Sequence, residues 1–273
     1  MKSISSKALA LCALFGCAAS AYAIPTLQVG APGTALEGLY ANYVTTSSSP
    51  TEADTAITSG NQILVGGAYS NGNNQELLIG GQYIGSQGTG QDWATILQAQ
   101  FGGSLSDYAV FNGKGAILMA SVPNGAVGAL TINGINPFFT STTPLFPNNH
   151  DPVKSAISDF LFFDIGNFAT SGTVPNFDDE TGGAVGEIKN LLIATSGFQW
   201  IHFDVMALVT KEGKKNQPPV TGLLTSLDNN PGSKDVTWKD PDGPPFGIPD
   251  PATPLLLGLG LMGLLLARHA RSK

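Results

Sequence analysis

Two histidines lie in the body of this chain, and each stands close to an acid: His150 precedes Asp151, and His202 is two residues from Asp204. Side chains alternate faces along an extended strand, so His202 and Asp204 would offer an imidazole and a carboxylate to the same point. That pair suits either proton transfer or a metal ion, because histidine titrates near neutral pH and is also a common metal ligand. A purely structural alternative puts His202 at a sheet edge with a hydrogen-bond partner and makes Phe146-Pro-Asn-Asn-His-Asp-Pro152 a turn. Asp178, Asp179 and Glu180 form the densest acidic cluster, and Asp228-Asn-Asn230 and Asp240-Pro-Asp242-Gly243 add oxygen-rich loops. Oxygen ligands suit Ca²⁺, but none of these stretches has the twelve-residue EF-hand spacing, so solvated loops with at most weak Ca²⁺ binding are expected. His202, Asp204, Asp178, Asp179 and Glu180 are therefore ligand candidates, while no essential metal and no other cofactor is expected.

Signatures of catalysis are missing. The chain has no G-x-S-x-G nucleophile elbow, no H-E-x-x-H zinc motif and no G-x-x-x-x-G-K-[ST] phosphate loop. Gly258-Leu-Gly260-Leu-Met-Gly263 matches a dinucleotide pattern in letters only, since that pattern works between a strand and a helix N-terminus and here it lies within an apolar run. The expectation is a protein that is not an enzyme. Paired carboxylates for glycoside hydrolysis stay open, because their pairing is spatial rather than sequential. This alternative, a carbohydrate-binding module or carbohydrate-active enzyme, would need a groove with two carboxylates and exposed aromatics, with Trp93, Trp200 and Trp238 the first candidates.

The elements that would carry these residues are mostly strands. Gln62 to Tyr69, Glu76 to Ile84 and Lys114 to Val122 are strand-length apolar runs bounded by turn signals such as Ser70-Asn-Gly-Asn-Asn74 and Pro123-Asn-Gly125. The first two runs, joined through Asn71-Gly72, read as a hairpin. Further strands are expected at 129–132, 160–164, 188–195 and 200–210, and one helix at 91–101, where Trp93, Ile96, Leu97 and Phe101 recur at helical spacing before Gly102-Gly103. This pattern predicts an all-β, jelly-roll-like β-sandwich over residues 24–238, with a closed barrel as the structural alternative. From about Thr237 the composition shifts to Asp, Pro and Gly, so residues 239–254 read as an extended linker.

Composition and the two ends bear on location. A formal net charge of -7 with 12% charged residues and 34 glycines offers no basic stripe, which excludes a nucleic-acid binder. Residues 1–23 have the form of a secretory signal peptide: Lys2 and Lys7 precede an apolar stretch, and Ala21-Tyr-Ala23 supplies small residues for cleavage before Ile24. Such a leader implies the Sec translocon and signal peptidase as partners. A rival reading takes Leu14-Phe-Gly-Cys17 as a lipobox with Cys17 acylated, although Phe15 is bulky for that site. Both cysteines, Cys12 and Cys17, precede Ile24, so cleavage there leaves a chain without disulfides or thiolate ligands. At the other end, Leu255 to Ala267 is an uncharged apolar run followed by Arg268, Arg271 and Lys273. It is shorter than the roughly 20 residues of a comfortable span, but snorkelling basic residues and bilayer thinning accommodate a short one. The run is expected to be one transmembrane helix, with residues 268–273 as a cytoplasmic tail under the positive-inside rule.

Pro249-Asp250-Pro251, the Leu/Gly-rich run and the basic tail together resemble the PEP-CTERM sorting signal of Gram-negative bacteria, which usually reads Val-Pro-Glu-Pro where this chain has Ile248-Pro-Asp-Pro251. The resemblance implies recognition and cleavage by an exosortase, an inner-membrane intermediate, release to the cell surface or medium, and association with exopolysaccharide and biofilm. The body, through Gly186 to Ile193, Ser196 to Leu208, the Lys/Gly stretch Lys211 to Lys215 and Gly232 to Trp238, is similar to exported proteins of the choice-of-anchor N type. That likeness implies a place at the surface and supplies no reaction.

Overall fold

The computed structural model describes residues 24–32, 55–69, 76–148, 150–177, 182–213 and 222–241. The expected signal peptide with Ala21 and Ala23, the motif Pro249-Asp250-Pro251, the apolar run 255–267, the basic tail and the acids Asp178, Asp179 and Glu180 lie outside these residues. Among the described residues no helix is long and apolar enough to cross a membrane.

The described chain is all-β. Its first strands are β1 (Leu27–Gly30), β2 (Ala56–Thr58), β3 (Gln62–Tyr69), β4 (Glu76–Gly80), β5 (Ile84–Gly85) and β6 (Gly88–Thr89). Two short helices follow, α1 (Trp93–Phe101) and α2 (Leu105–Tyr108), and then β7 (Ala116–Pro123), β8 (Ala129–Ile132), β9 (Phe139–Ser141) and β10 (Ser158–Gly166). The last part holds β11 (Gly172–Val174), β12 (Ala184–Ser196), β13 (Trp200–Glu212), β14 (Leu223–Asn229) and β15 (Val236–Lys239). A five-stranded sheet runs β1-β3-β12-β11 with β8 also on β12. An eight-stranded sheet runs β2-β15-β13-β7-β10-β9, and β14 and β4 also pair with β13.

β13 organises the larger sheet. Its sequence is apolar over most of its length and every residue from Trp200 to Thr210 is buried, as expected of a strand covered on both faces. Alternation then sorts the side chains. Ile201, Phe203, Val205, Ala207 and Val209 enter one apolar cluster, together with Leu118 and Ala120 of β7 and Leu27, Val29, Ile63, Val65, Leu191 and Ile193 of the smaller sheet. Met206 and Leu208 point the other way, into a second cluster with Trp93, Leu97, Phe111, Ile117, Met119, Phe160 and Phe162. Helix α1 closes that second cluster. Asp92 caps it by accepting a hydrogen bond from the Thr95 amide at 2.9 Å, and Gly102 ends it at φ 78°, a conformation that favours glycine.

One sequence expectation changes here. The runs Gln62 to Tyr69 and Glu76 to Ile84 do not form a hairpin: β3 pairs with β1 and β12, whereas β4 pairs with β13 in the other sheet. The long partners β12 and β13 offer more pairing and burial than a local turn does, so tertiary pairing overrides the Asn-Gly signal. The two strands stay coupled through Tyr69, whose buried hydroxyl donates to the Phe168 carbonyl at 2.6 Å and accepts from the Ile79 amide at 3.1 Å. At the end of the described chain, Thr237 and Trp238 of β15 are buried against the sheet.

Candidate metal centre

The outer face of β13 is apolar at Met206 and Leu208 and polar at His202 and Asp204, all four on the same side by alternation and all fully buried. On one flank, His202 stands opposite Thr237 of β15. On the other flank it stands opposite Ser121 of β7. Asp235 precedes β15 by one residue and so shares the face of Thr237. Its own carbonyl accepts the Ala56 amide at 3.1 Å, which ties the turn to β2. The fourth side chain comes from the segment between β9 and β10. Leu145, Phe146 and Val153 bury that segment in the second cluster, and His150 reaches down between them onto the sheet. The His150 ring packs edge-on to Phe146 at 6.0 Å and to His202 at 5.4 Å.

These four side chains converge on one point. His150 Nε2 lies 3.2 Å from His202 Nε2, 3.5 Å from Asp204 Oδ1 and 3.7 Å from Asp235 Oδ2. His202 Nε2 lies 3.2 Å from Asp204 Oδ2 and 3.8 Å from Asp235 Oδ2. All four ligand-type atoms fall within 4.8 Å of one another. The far sides of the same groups are held by other partners. His150 Nδ1 meets the Asn148 carbonyl at 3.1 Å, and since a carbonyl only accepts, that nitrogen donates and Nε2 is the atom turned to the cluster. His202 Nδ1 meets the Thr237 hydroxyl at 2.8 Å. Asn230 donates to Asp204 Oδ1 at 3.0 Å and is itself oriented by the Val205 amide, which donates to its Oδ1 at 2.7 Å.

A proton count shows why the arrangement is unusual. If His202 carries its proton on Nε2, that single N–H faces His150 Nε2, Asp204 Oδ2 and Asp235 Oδ2 at 3.2, 3.2 and 3.8 Å. Asp204 Oδ2 is buried with His202 Nε2 3.2 Å away, a contact too poorly aligned to make a full hydrogen bond. Burial pushes the His202 ring below its ordinary pKa, opposed by the charge of Asp204 and reinforced by His150, so the ring is neutral at pH 7. Burial opposes charge on Asp204 as well, yet the His202 and His150 rings and the Asn230 amide outweigh it and hold that carboxyl below its usual range. Two imidazoles and two carboxyl groups around one point are a donor set for a divalent cation. The His150 side chain is 14% exposed and the side chains of the other three have none of their surface open, so the set is closed to a substrate.

Of the residues singled out from sequence, His202 and Asp204 come together as alternation required, but in the middle of the sheet and not at its edge. The structural alternative expected an edge position. His150 joins them, although its segment reads as a turn. Asp151 does not join, since it pairs with Lys154. Asp235, Asn230 and Thr237 were not legible as members of the site. A trace exists in Asp235-Val-Thr-Trp238, whose polar residues alternate with buried apolar ones, the mark of a strand with one polar buried face. All three tryptophans are buried, so a sugar-binding surface would have to use other rings. An open cleft of about 570 Å³ is lined by Thr140, Ser141, Asp159 and Phe198 and contains one acid, short of the pair that glycoside hydrolysis takes. Comparison with protein-family models, with curated proteins and with solved structures finds no match for this chain.

Proposed function

We propose that this chain is an exported surface or extracellular-matrix protein without catalytic activity, sorted by a C-terminal signal of the PEP-CTERM kind. The observation that carries this reading is the order of Pro249-Asp250-Pro251, an uncharged apolar run and the basic residues Arg268, Arg271 and Lys273, paired with a secretory leader ending at Ala23. The all-β body supports it, since two sheets that share one apolar cluster suit a β-sandwich of jelly-roll type with no disulfide. The closed cluster on β13 supports the non-catalytic half, because a buried polar set with no open position has nowhere to take a reacting group. In this reading the Sec translocon and signal peptidase release Ile24 as the new N-terminus, the apolar run holds an inner-membrane intermediate, and an exosortase cuts at the motif. Association with exopolysaccharide follows from the family resemblance alone.

The test is replacement of Pro249, Asp250 and Pro251 by alanine in the producing cell. The full-length protein is expected to accumulate in the inner membrane, with its body outside and its tail in the cytoplasm. Arrival at the surface at wild-type size and rate would mean that the motif is not the address.

A further inference from the structure

We propose that His150, His202, Asp204 and Asp235 are the ligands of one divalent transition-metal ion of the zinc class, bound as a structural staple between three distant segments of the body. The site stands independently of the export reading. Its ligating atoms are His150 Nε2, His202 Nε2, Asp204 Oδ2 and an oxygen of Asp235. Two features on the page point to a cation and not to a hydrogen-bonded network. Asp204 Oδ2 is buried and aimed into the cluster, with His202 Nε2 3.2 Å away but no well-aligned hydrogen bond, and both imidazoles present Nε2 to the same point 3.2 Å apart. Two carboxyl groups also meet where solvent does not reach, 3.2–3.8 Å from the same imidazole nitrogen.

The spacing selects the kind of ion. Zinc takes nitrogen and carboxylate ligands at about 2.0–2.2 Å in a tetrahedron, whose edges are then about 3.3–3.6 Å. Four of the six ligand separations, 3.2, 3.2, 3.7 and 3.8 Å, bracket that edge, and the whole set lies within 4.8 Å. Calcium wants six to eight oxygens at about 2.3–2.6 Å and magnesium an oxygen octahedron, and half of this set is nitrogen. The outer partners follow the pattern of metal-bound histidine and carboxylate: the Asn148 carbonyl and the Thr237 hydroxyl fix the two rings, and Asn230 fixes Asp204. Four protein ligands in a buried place leave no open position, which assigns the ion a structural role. It joins the segment before β10, the central strand β13 and the turn before β15 in a chain that has no cysteine after Cys17. The ion would hold these segments as a disulfide does elsewhere.

The experiment uses the full chain, purified in detergent without chelator and assayed for metal by mass spectrometry, then stripped and titrated with Zn²⁺ and Co²⁺. Saturation at one equivalent per chain is expected, with the intense visible absorption of tetrahedral Co²⁺ and no displacement by excess Ca²⁺. His150→Ala is the informative variant, because its ring lies in a connecting segment at the rim and its loss leaves the β13 core intact. Outer partners alone are worth about 10–100-fold in metal affinity, so loss of this ligand is expected to cost at least about 100-fold. Asp228→Asn, an acid of β14 outside the cluster, should bind as the wild type does. Saturation below one-tenth of an equivalent, a faint octahedral Co²⁺ spectrum, displacement by Ca²⁺, or His150→Ala binding as tightly as the wild type would each overturn the proposal.

Discussion

Replacing Tyr69 by phenylalanine removes one oxygen and almost no volume, which makes it a clean probe of how β3 of one sheet is tied to β4 of the other. The hydroxyl donates to the Phe168 carbonyl at 2.6 Å and accepts from the Ile79 amide at 3.1 Å, both buried bonds. Without it two buried backbone groups lose their partner, at about 1–3 kcal/mol each, so the variant should lose roughly 2–6 kcal/mol. A carbonyl has a second lone pair and is the easier group to leave unmet, which places the expected value near the lower end. Urea unfolding followed by tryptophan fluorescence measures this directly, as a fall in midpoint with an unchanged slope. The pH dependence gives a second readout. Burial raises the Tyr69 pKa above 10, the Ile79 hydrogen bond opposes the shift, and the charges of Glu187 and Glu76 add to it. A raised folded pKa means that the stability is fully present below pH 10 and is lost as pH rises through the folded value, because the unfolded chain ionises first. Tyr69→Phe should therefore flatten the alkaline limb of the wild-type curve. A loss under about 0.5 kcal/mol, the range of neutral surface changes, together with an unchanged alkaline limb would refute the clamp.

Other perturbations follow from the same geometry. Asn230→Ala strips the acceptor of the Val205 amide and a donor of Asp204, so a loss of about 2–5 kcal/mol is expected by urea titration, the larger share from the charged partner. Phe111→Ala empties a fully buried position that meets Phe138, Phe139 and Phe162 edge-on at 5.2–5.6 Å, and should cost about 3–5 kcal/mol in the same assay. Asp92→Ala removes the α1 cap and should cost about 1 kcal/mol at neutral pH. The Thr95 hydrogen bond lowers the Asp92 pKa, burial opposing it slightly, so the wild-type advantage holds above the ordinary carboxylate value and vanishes as pH falls through the lower folded one.

The strands and the helix could be read from the chain because their signals are local. Val-Gly-Gly-Ala within apolar runs, Ala129 to Ile132 and the long stretch from Trp200 carry the alternation or continuous apolarity that strands need, and Asp92 with Trp93, Leu97 and Gly102 frames α1. Pairing was not local, so Asn71-Gly72 suggested a hairpin that the partners β12 and β13 override. The same distinction governs the site. His202 and Asp204 are two residues apart on one strand and could be placed on one face. His150 is 52 residues from His202, and its arrival depends on how Phe146 and Val153 bury the segment around it. Asn230 and Asp235 read as an amide and an acid of a turn in sequence, and only the antiparallel registers of β14 and β15 on β13 set them beside Asp204.

The most direct test of export and sorting is the intact mass of the protein recovered from the cell surface. The account predicts a chain that begins at Ile24 and ends at or near Pro249-Asp250-Pro251, with the segment from Leu255 to Lys273 gone. A surface species that still ends in Lys273, or one that begins at an acylated Cys17, would contradict it.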